Sequence, residues 1–392
     1  MVTAMFVGRL PNGMFPLGIV FVLHQSSGSY SATGAALAAL MLGTTCSTPF
    51  RGRLVDRWGQ SRVLVPLVLA QATAMAGVLF VISTRQSLLI VIPLVTAVGA
   101  TSSTLGGSMR QLWPALVRLP GDLPAAYALQ ALLEDLISVA GPLVASVLLV
   151  VASPMVILVF AEVAALAGTT VFATAPTSRA AAGRRAASSS RLLGALSARG
   201  MRTLVVTLSA AGMVVGMLYI ELPAFAQGKD SRAVGILLAV MAASSMVSGL
   251  YYGARTWESS VDRRYVWLAG IFAAAVVPLA LASTTWQLGV LLVFVGIAYA
   301  PRVISAYILL DDLAPRDSLA EAYTWLVSAN AGGVALGSAI AGPAVEQLGV
   351  RWALVGTGVC AVAGCVMAIV RRRSLIPIRQ DGLSRHAAPD VS

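Results

Sequence analysis

Charged residues are scarce in this chain of 392 residues: Asp, Glu, Lys and Arg make up only 11% of it, while 58% is hydrophobic. About a quarter of an ordinary soluble protein is charged, so the composition excludes a soluble globular domain. The apolar residues fall in stretches of about 20, the length with which a helix crosses about 30 Å of hydrocarbon. The sequence therefore predicts a multi-pass membrane protein.

Cysteine and histidine are also scarce, with three and two residues respectively. Cys46, Cys360 and Cys365 lie within apolar stretches, so we expect small packing residues rather than a disulfide framework or a metal site. His24 and His386 belong to no Ser–His–acid or Cys–His set spaced for nucleophilic catalysis, and no zinc spacing is present. We predict no metal, no cofactor and no enzymatic activity.

The run lengths of the apolar stretches predict twelve spans. They lie near 3–24, 30–50, 63–83, 87–109, 126–150, 153–175, 202–226, 232–254, 265–283, 286–310, 319–344 and 350–370. The first begins almost at Met1 without a charged leader, which indicates a retained helix rather than a signal peptide.

The net charge of +11 is distributed by loop and forms no single basic face, which argues against nucleic-acid binding. Odd-numbered loops hold only Arg85, Lys229, Arg232 and Arg351. Even-numbered loops and the tail hold most of the arginines, among them Arg51, Arg53, Arg57, Arg62, Arg263, Arg264, Arg371, Arg372 and Arg373. This positive-inside pattern predicts that both termini are cytoplasmic, and we expect a bacterial plasma membrane.

The longest break between spans divides the chain into two sets of six. We predict a first bundle over 1–175, a cytoplasmic linker over 176–201, a second bundle over 202–371 and a cytoplasmic tail over 372–392. The arginines of the linker either contact anionic lipid or serve as topology signals in a tether. A shift of 196 residues places Ala126 on Ala322 and Gly141 on Gly337, which fits parallel repeats related by an axis along the membrane normal.

The segment from Gly52 to Arg62 predicts a short, tight, charged loop between the second and third spans. Gly52, Asp56, Arg57 and Gly59 match the signature Gly-x-x-x-Asp-Arg-x-Gly-Arg-Arg/Lys in order and spacing, and the basic residue arrives late, as Arg62. This signature is that of the loop between helices 2 and 3 in the major facilitator superfamily, and the chain resembles that family over nearly its whole length. The resemblance implies an all-α membrane fold with twelve transmembrane helices in two six-helix bundles, related by a pseudo-two-fold axis along the membrane normal.

The resemblance also implies a gate at this segment. Gly52 would let two helices approach closely, and Gly59 would permit a turn. Asp56 would meet a helix N-terminus in the other bundle and latch the cytoplasmic face, an interaction worth about 0.3–1 kcal/mol. The alternative is that Arg57 and Arg62 with their neighbours only set the topology.

Two further segments resemble motifs of the family. Arg110, near the end of the fourth span, is similar to the motif B arginine, and would either pair with Asp56 or extend to the interface. Gly141-Pro142 in the fifth span resembles part of the antiporter motif C, and indicates either antiport or plain helix packing.

Five ionisable residues at membrane depth are candidates for proton coupling or for the cavity, because each needs a partner or a function there. They are Arg9, Glu134, Asp135, Glu221 and Arg302. Spans 1, 4, 7 and 10 line the cavity in the resembled family, so the resemblance places Arg9, Glu221 and Arg302 on cavity-lining helices and lets Glu221 pair with either arginine.

A carboxylate that alternates between burial and an arginine partner can carry a proton. We rank Glu134 first for this role, then Glu221, Asp135 and Glu162. Glu134 and Asp135 are alternatively ordinary surface groups, and Glu162 could pack between helices. Pro223 predicts local unwinding that exposes Glu221.

The function that we expect is proton-coupled efflux of a small amphipathic molecule by alternating access. The expected partners are that substrate, protons and the lipid bilayer, without nucleic acid, and the protein is expected to be a monomer. The alternatives are an importer of a metabolite, a non-transporting sensor or partner protein on the same scaffold and, third, a membrane enzyme.

Overall fold

The protein is described by a computed structural model over residues 1–84, 88–117, 123–180, 198–226, 232–255, 257–314 and 319–376. The regular structure within these ranges is helical. The helices are α1 Val2–Arg9, α2 Pro11–Ser27, α3 Tyr30–Trp58, α4 Gln60–Ser83, α5 Leu88–Thr101, α6 Leu105–Leu116, α7 Leu123–Val151, α8 Pro154–Thr174, α9 Pro176–Ala180, α10 Arg199–Phe225, α11 Arg232–Ala254, α12 Val261–Val276, α13 Thr285–Leu313, α14 Leu319–Leu348 and α15 Val350–Val370.

Within the described residues, ten candidate membrane spans are long and apolar enough to cross a bilayer. The first combines α1 with α2, the third combines α5 with α6 and the seventh combines α12 with the 3-10 helix Val277–Leu281, while the others correspond to single long helices of the predicted spans. The helices α3 and α7 stand at the positions predicted for the second and fifth spans, but they fall outside these ten. The crossing of the membrane by α3 and α7 therefore stays a prediction.

The helices pack as two sets. In the first half α1 and α2 pack on α8, and α3 and α4 pack on α5; in the second half α10 packs on α14 and α15, and α13 packs on α11 and α12. Between the halves, α3 contacts α14 and α7 contacts α11. The domain limits stay a prediction, and residues 181–197 of the linker and 377–392 of the tail lie outside the described ranges.

The two halves repeat one helix contact. A Cβ on Gly141 would lie 2.8 Å from the Cα of Gly13, so α7 touches the backbone of α2. A Cβ on Gly337 would lie 2.1 Å from the carbonyl oxygen of Met213, so α14 touches the backbone of α10. In each half, the helix of the fifth predicted span therefore contacts the helix of the first predicted span, and the contact lies at the glycine that the 196-residue shift aligns.

The ends of the helices define two faces. We call the face that holds Met1, Gly59 and Arg371 the inner face, and the face that holds Gly28 and Gly349 the outer face. The charge pattern predicts that the inner face is cytoplasmic.

The prediction of a loop from Gly52 to Arg62 is wrong. The helix α3 continues to Trp58 and α4 begins at Gln60, so Gly59 alone makes the turn, with a φ of 85° that favours glycine. Among the described residues, no atom of another segment lies within 4 Å of a Cβ placed on Gly52, so the predicted close approach of described helices there is also wrong.

Two spans are interrupted in the inner half of the membrane. The helix α1 ends at Arg9 and α2 begins at Pro11, which has no N–H to continue the α1 hydrogen-bond ladder. Residues 102–104 are non-helical between α5 and α6. Leu10, between α1 and α2, keeps right-handed helical angles (φ −47°, ψ −40°), so the first interruption is a bend at Pro11. The non-helical backbone at 102–104 is tolerated at membrane depth only where protein groups or a water-filled cavity satisfy it, so the region of the two interruptions marks the candidate site.

Candidate functional site

An ion pair joins the first interrupted span to α7. The Nη1 of Arg9 lies 2.9 Å from the Oε1 of Glu134, and their side chains are 23% and 33% exposed. Arg9 stands in the last turn of α1, where the helix dipole favours a cation. The sequence placed both residues among the candidates but did not predict that they pair.

A neutral amide completes this cluster. The Nε2 of Gln130 donates to Glu134 Oε1 at 2.9 Å and to the Gly106 carbonyl at 2.8 Å, and its Oε1 accepts from Trp113 Nε1 at 2.7 Å. A Cβ on Gly106 would lie 2.4 Å from Arg9 Nη1, so the absence of a side chain there makes room for the guanidinium. We call Arg9, Gly106, Trp113, Gln130 and Glu134 the ion-pair cluster.

The ion-pair cluster brings a carboxylate, a guanidinium and an amide together. Glu134 is held by one cation and one amide, and its side chain is 33% exposed. Protonation removes its charge and with it most of the attraction to Arg9. A released guanidinium is a bidentate donor for an anionic group.

The break between α5 and α6 is closed by Arg51, which is only 4% exposed. Its Nη1 donates to the carbonyl and, at 2.7 Å, to the hydroxyl of Ser102, and its Nη2 donates at 3.0 Å to the Thr44 carbonyl and to the Thr48 hydroxyl. We counted Arg51 only as a topology signal. The structure makes it the group that satisfies the interrupted backbone.

The predicted pairing of Glu221 with an arginine is wrong. Glu221 is 1% exposed between α10 and α15, and it accepts a hydrogen bond from Thr357 Oγ1 at 2.6 Å. Arg302 is also 1% exposed and donates from Nη2 to the Thr207 carbonyl at 2.8 Å. The fourteen residues from Thr207 to Glu221 span about 21 Å of helix, so these two charges are too far apart to pair.

Local unwinding at Pro223 is also absent, because α10 continues through it to Phe225. The guanidinium carbon of Arg302 lies 5.1 Å from the centroid of the Phe272 ring, within the second bundle. Glu221 and Arg302 therefore stand on the predicted helices but project into the interior of their own bundle.

At the inner face, Asp56 bonds within its own bundle. Its Oδ1 accepts from the Nε2 of Gln111 at 2.9 Å, and the contact with a helix N-terminus of the other bundle stays a prediction, because residues 315–318 before α14 lie outside the described ranges. Gln111 follows Arg110 directly, and the hydrogen bond to Asp56 comes from the amide rather than from the exposed arginine. Arg57 and Arg62 are exposed.

At the outer face, a carboxylate of the second half bonds the start of α3 in the first half. Glu346 Oε1 accepts from Ser29 Oγ at 2.8 Å and from the backbone N–H of Ser31 at 3.1 Å, and its Oε2 accepts from Ser31 Oγ. Close packing continues inward, because a Cβ on Gly34 would lie 2.2 Å from the Ser338 carbonyl oxygen. We call Ser29, Ser31 and Glu346 the outer latch.

Sequence reasoning missed the counterpart of Glu134 in the second half. The shift of 196 residues aligns Glu134 with Asn330, whose Nδ2 donates to the hydroxyl of Tyr299 at 3.3 Å. A Cβ on Gly212 in α10 would lie 2.7 Å from Asn330 Oδ1, so Asn330 faces the first helix of its half, as Glu134 does. The same shift that aligned Gly141 could have found this residue.

The remaining predicted residues have simple outcomes. Glu162 packs between helices and accepts from Gln71 Nε2 at 3.1 Å. The side chain of Asp135 lies outside the described residues. Within the described ranges, no three His, Cys, Asp or Glu side chains are grouped closely enough to hold a metal ion.

No protein-family model matches the sequence, and no curated protein sequence matches it. Solved structures do match. The nucleoside transporter NupG, in a mutant form, superposes with a TM-score of 0.76 at 14% identity over 94% of this chain and 98% of that chain. A bacterial homologue of the iron transporter ferroportin, in the inward-facing state, gives 0.72 at 13% identity over 95% and 97%. A bacterial homologue of the human lysosomal transporter Spinster, inward-facing and unoccupied, gives 0.68 at 13% identity over 95% and 96%.

The chain has the major facilitator superfamily fold. The superposition over nearly the whole of each chain confirms the all-helical membrane fold predicted from the span lengths and the Gly52–Arg62 signature, while the count of twelve spans stays a prediction. The three solved structures named above are structures of transporters or of their homologues, and the absence of enzymatic activity in this protein stays a prediction.

We expect the variant Glu221→Gln to keep its transport rate, because the carboxylate of Glu221 is sealed between α10 and α15 and the amide still accepts from Thr357. Thr357→Val removes the donor, and should lower the free energy of unfolding by about 1–2 kcal/mol. Substrate flux in proteoliposomes and unfolding in mixed detergent measure the two effects. Loss of substrate flux in a stably folded Glu221→Gln variant would mean that the carboxylate of Glu221 takes part in transport.

Proposed function

We propose that the protein is a secondary transporter that exports a small amphipathic molecule in exchange for protons. The observation that carries the proposal is the Arg9–Glu134 ion pair, placed where two spans are interrupted. Transport as such is supported by the superfamily fold, whose solved examples named above are transporters.

The conformation supports alternating access. The outer latch joins the two halves at the outer face, while Asp56 at the inner face bonds to Gln111 of its own half. This is the pattern of a transporter closed to the outside. Two of the similar structures are themselves of inward-facing states.

Proton coupling is assigned to Glu134. In the conformation described, its carboxylate pairs with Arg9 and its side chain is 33% exposed. We propose that substrate and proton compete for the ion-pair cluster, so that the carrier changes state with one of them bound and not with both. Such exclusive occupancy is what an exchanger requires, because each ligand must leave before the other binds.

Export is the less strongly supported part of the proposal. It rests on the resemblance of Gly141-Pro142 to part of motif C, and Gly141 also serves as the packing contact with Gly13. Import of a metabolite by symport is the alternative direction.

The test uses the full-length protein in liposomes that contain a pH-sensitive dye. A nucleoside, an organic anion and an amphipathic cation are each added outside. Antiport makes the interior more alkaline as substrate enters, because protons leave; symport makes it more acidic. This sign does not depend on the orientation of the protein in the vesicle.

The second class of function, a sensor or partner protein on the same scaffold, predicts a different result. It predicts substrate binding without proton movement and without exchange of labelled substrate across the vesicle membrane. Binding can be followed by the quenching of tryptophan fluorescence. Binding with no flux for any substrate would reject the transporter proposal in favour of this class.

We expect Glu346→Ala to open the outer face more often. The substitution removes three hydrogen bonds across the two halves, but the residue is exposed, so the net effect is about 1 kcal/mol, or about a fivefold change in the ratio of the two states. Spin labels at Val151 and Leu281, on a background without Cys46, Cys360 and Cys365, report the distance between the outer ends of the halves.

The neighbouring exposed residue Gln347 provides the matched control. Gln347→Ala leaves the three hydrogen bonds of the outer latch in place and should give the distance distribution of the unmodified protein. An unchanged distribution in Glu346→Ala would mean that the outer latch does not hold the outer face closed.

A further inference from the structure

A cavity lies at the inner face between α12 and α15, on the side of the second bundle away from the first. Its volume is about 660 Å³, within the range of small-molecule sites. The described contacts of α12 and α15 are with helices and turns of their own half, so the cavity is separate from the ion-pair cluster.

The mouth of the cavity is cationic. Arg263, at the start of α12, and Arg372 and Arg373, just after α15, line it together with one carboxylate, that of Asp262. All three arginines are exposed, and they stand at the level where the helices leave the membrane. Three guanidinium groups against one carboxylate favour an anionic ligand.

The deeper part of the cavity is apolar. Trp267, Val266 and Ile369 line it, and Gly270 forms part of its wall. Arg263 and Gly270 are seven residues apart on α12, or about 10 Å along the membrane normal. A Cβ on Gly270 would meet only Cys365 Sγ, at 4.0 Å, so this wall has room for a chain to lie against it.

The gradient from cationic to apolar matches one class of molecule. A phosphate at the mouth would contact the arginines while acyl chains occupy the apolar part beside Trp267, which is 69% exposed at interfacial depth. A soluble anion would use only the mouth. In a zwitterionic lipid the cation of the headgroup would offset the charge of the phosphate and weaken its attraction to the arginines.

We propose that this cavity binds an anionic phospholipid of the inner leaflet, with its phosphate on Arg263, Arg372 and Arg373 and its acyl chains along Gly270 and Trp267. Basic pockets between membrane helices on the cytoplasmic side are suited to such headgroups, at roughly 1 kcal/mol for each basic residue. The proposal depends on neither the direction of transport nor its coupling.

The test is a titration of the full-length protein in detergent, followed by native mass spectrometry. Phosphatidylglycerol is compared with phosphatidylcholine of the same acyl chains, and inorganic phosphate is added in excess as a competitor. We expect phosphatidylglycerol to bind more tightly than phosphatidylcholine, and phosphate to leave it bound. Equal affinity for the two lipids overturns the proposal, and displacement by phosphate reduces the cavity to a simple anion site.

Two variants locate the binding. Arg372→Gln with Arg373→Gln should weaken phosphatidylglycerol roughly 30-fold, from two basic residues. The matched control is Arg53→Gln with Arg62→Gln, which removes two exposed arginines from the same face and should leave the affinity close to that of the unmodified protein. Equal losses of phosphatidylglycerol affinity in the two double variants would mean that binding depends only on the net charge of the protein.

Gly270→Leu is the third variant, and it changes no charge. Its side chain fills the apolar part of the cavity, so phosphatidylglycerol should bind more weakly while the thermal stability of the protein is kept. Full phosphatidylglycerol affinity in a folded Gly270→Leu variant would show that the acyl chains do not enter the cavity.

Discussion

The variant Glu134→Gln is expected to lose proton-driven accumulation and to keep substrate exchange. Glutamine still accepts from Gln130 and occupies the same volume, but it cannot bind and release a proton. A pH difference of one unit is worth about 1.4 kcal/mol per proton, which supports about tenfold accumulation. In Glu134→Gln this factor should fall to about one, whereas exchange of labelled for unlabelled substrate should continue.

The measurement is accumulation in proteoliposomes across an imposed pH difference, with exchange measured on the same preparation. Glu221→Gln is the matched control, because it makes the same chemical change at a carboxylate sealed inside the second bundle. Proton-driven accumulation that survives in Glu134→Gln would remove the ion-pair cluster from the coupling mechanism.

The second large effect is on stability, at Arg51. Arg51→Met should lower the free energy of unfolding by about 2–4 kcal/mol, because the Ser102 carbonyl is left buried without its charged donor. Arg51→Lys should retain only part of this stability, because one ammonium group cannot reach all the acceptors that Nη1 and Nη2 of Arg51 contact. Unfolding in a mixed-detergent titration measures the difference.

Arg53 provides the control for this prediction. It lies two residues further along α3, is exposed, and has the same side chain. Arg53→Met should leave the free energy of unfolding almost unchanged. Equal losses at both positions would mean that the stability depends on net positive charge at the inner face and not on the closure of the interrupted span.

Much of the fold could be predicted because the bilayer imposes length and polarity on each span. The ends predicted for the eighth, eleventh and twelfth spans lie close to those of α11, α14 and α15. The break at 102–104 was harder to predict, because the backbone there is satisfied by Arg51 from another helix, and hydropathy carries no information on such a distant donor.

The site was predicted less well, and the reason is helix rotation. Successive residues of a helix differ by about 100° around its axis, so a span can be located without knowing which side faces the cavity. Arg302 and Glu221 illustrate this, since each lies on the predicted helix and projects into its own bundle. Arg9 and Glu134 could be named as candidates, but their pairing depends on three helices at once.

The signature at Asp56 shows a related limit. Its spacing indicated the fold, yet the contact observed for Asp56 among the described residues is with Gln111 of its own half, and the contact that the resemblance implies stays a prediction. A sequence is shared by all the conformations of a transporter, whereas each contact belongs to only some of them.

The pairing of Arg9 with Glu134 has a consequence for the electrical driving force. Two opposite charges 2.9 Å apart sum to zero, so a carrier with this pair intact moves little charge across the membrane as it changes state. A proton on Glu134 leaves Arg9 uncompensated, and each elementary charge that crosses a potential of 100 mV exchanges about 2.3 kcal/mol with the field. The membrane voltage would therefore act on the conformational change of the protonated carrier and have little effect on that of the unprotonated carrier. In respiring cells the voltage would then set the rate of the half of the transport cycle in which the carrier is protonated.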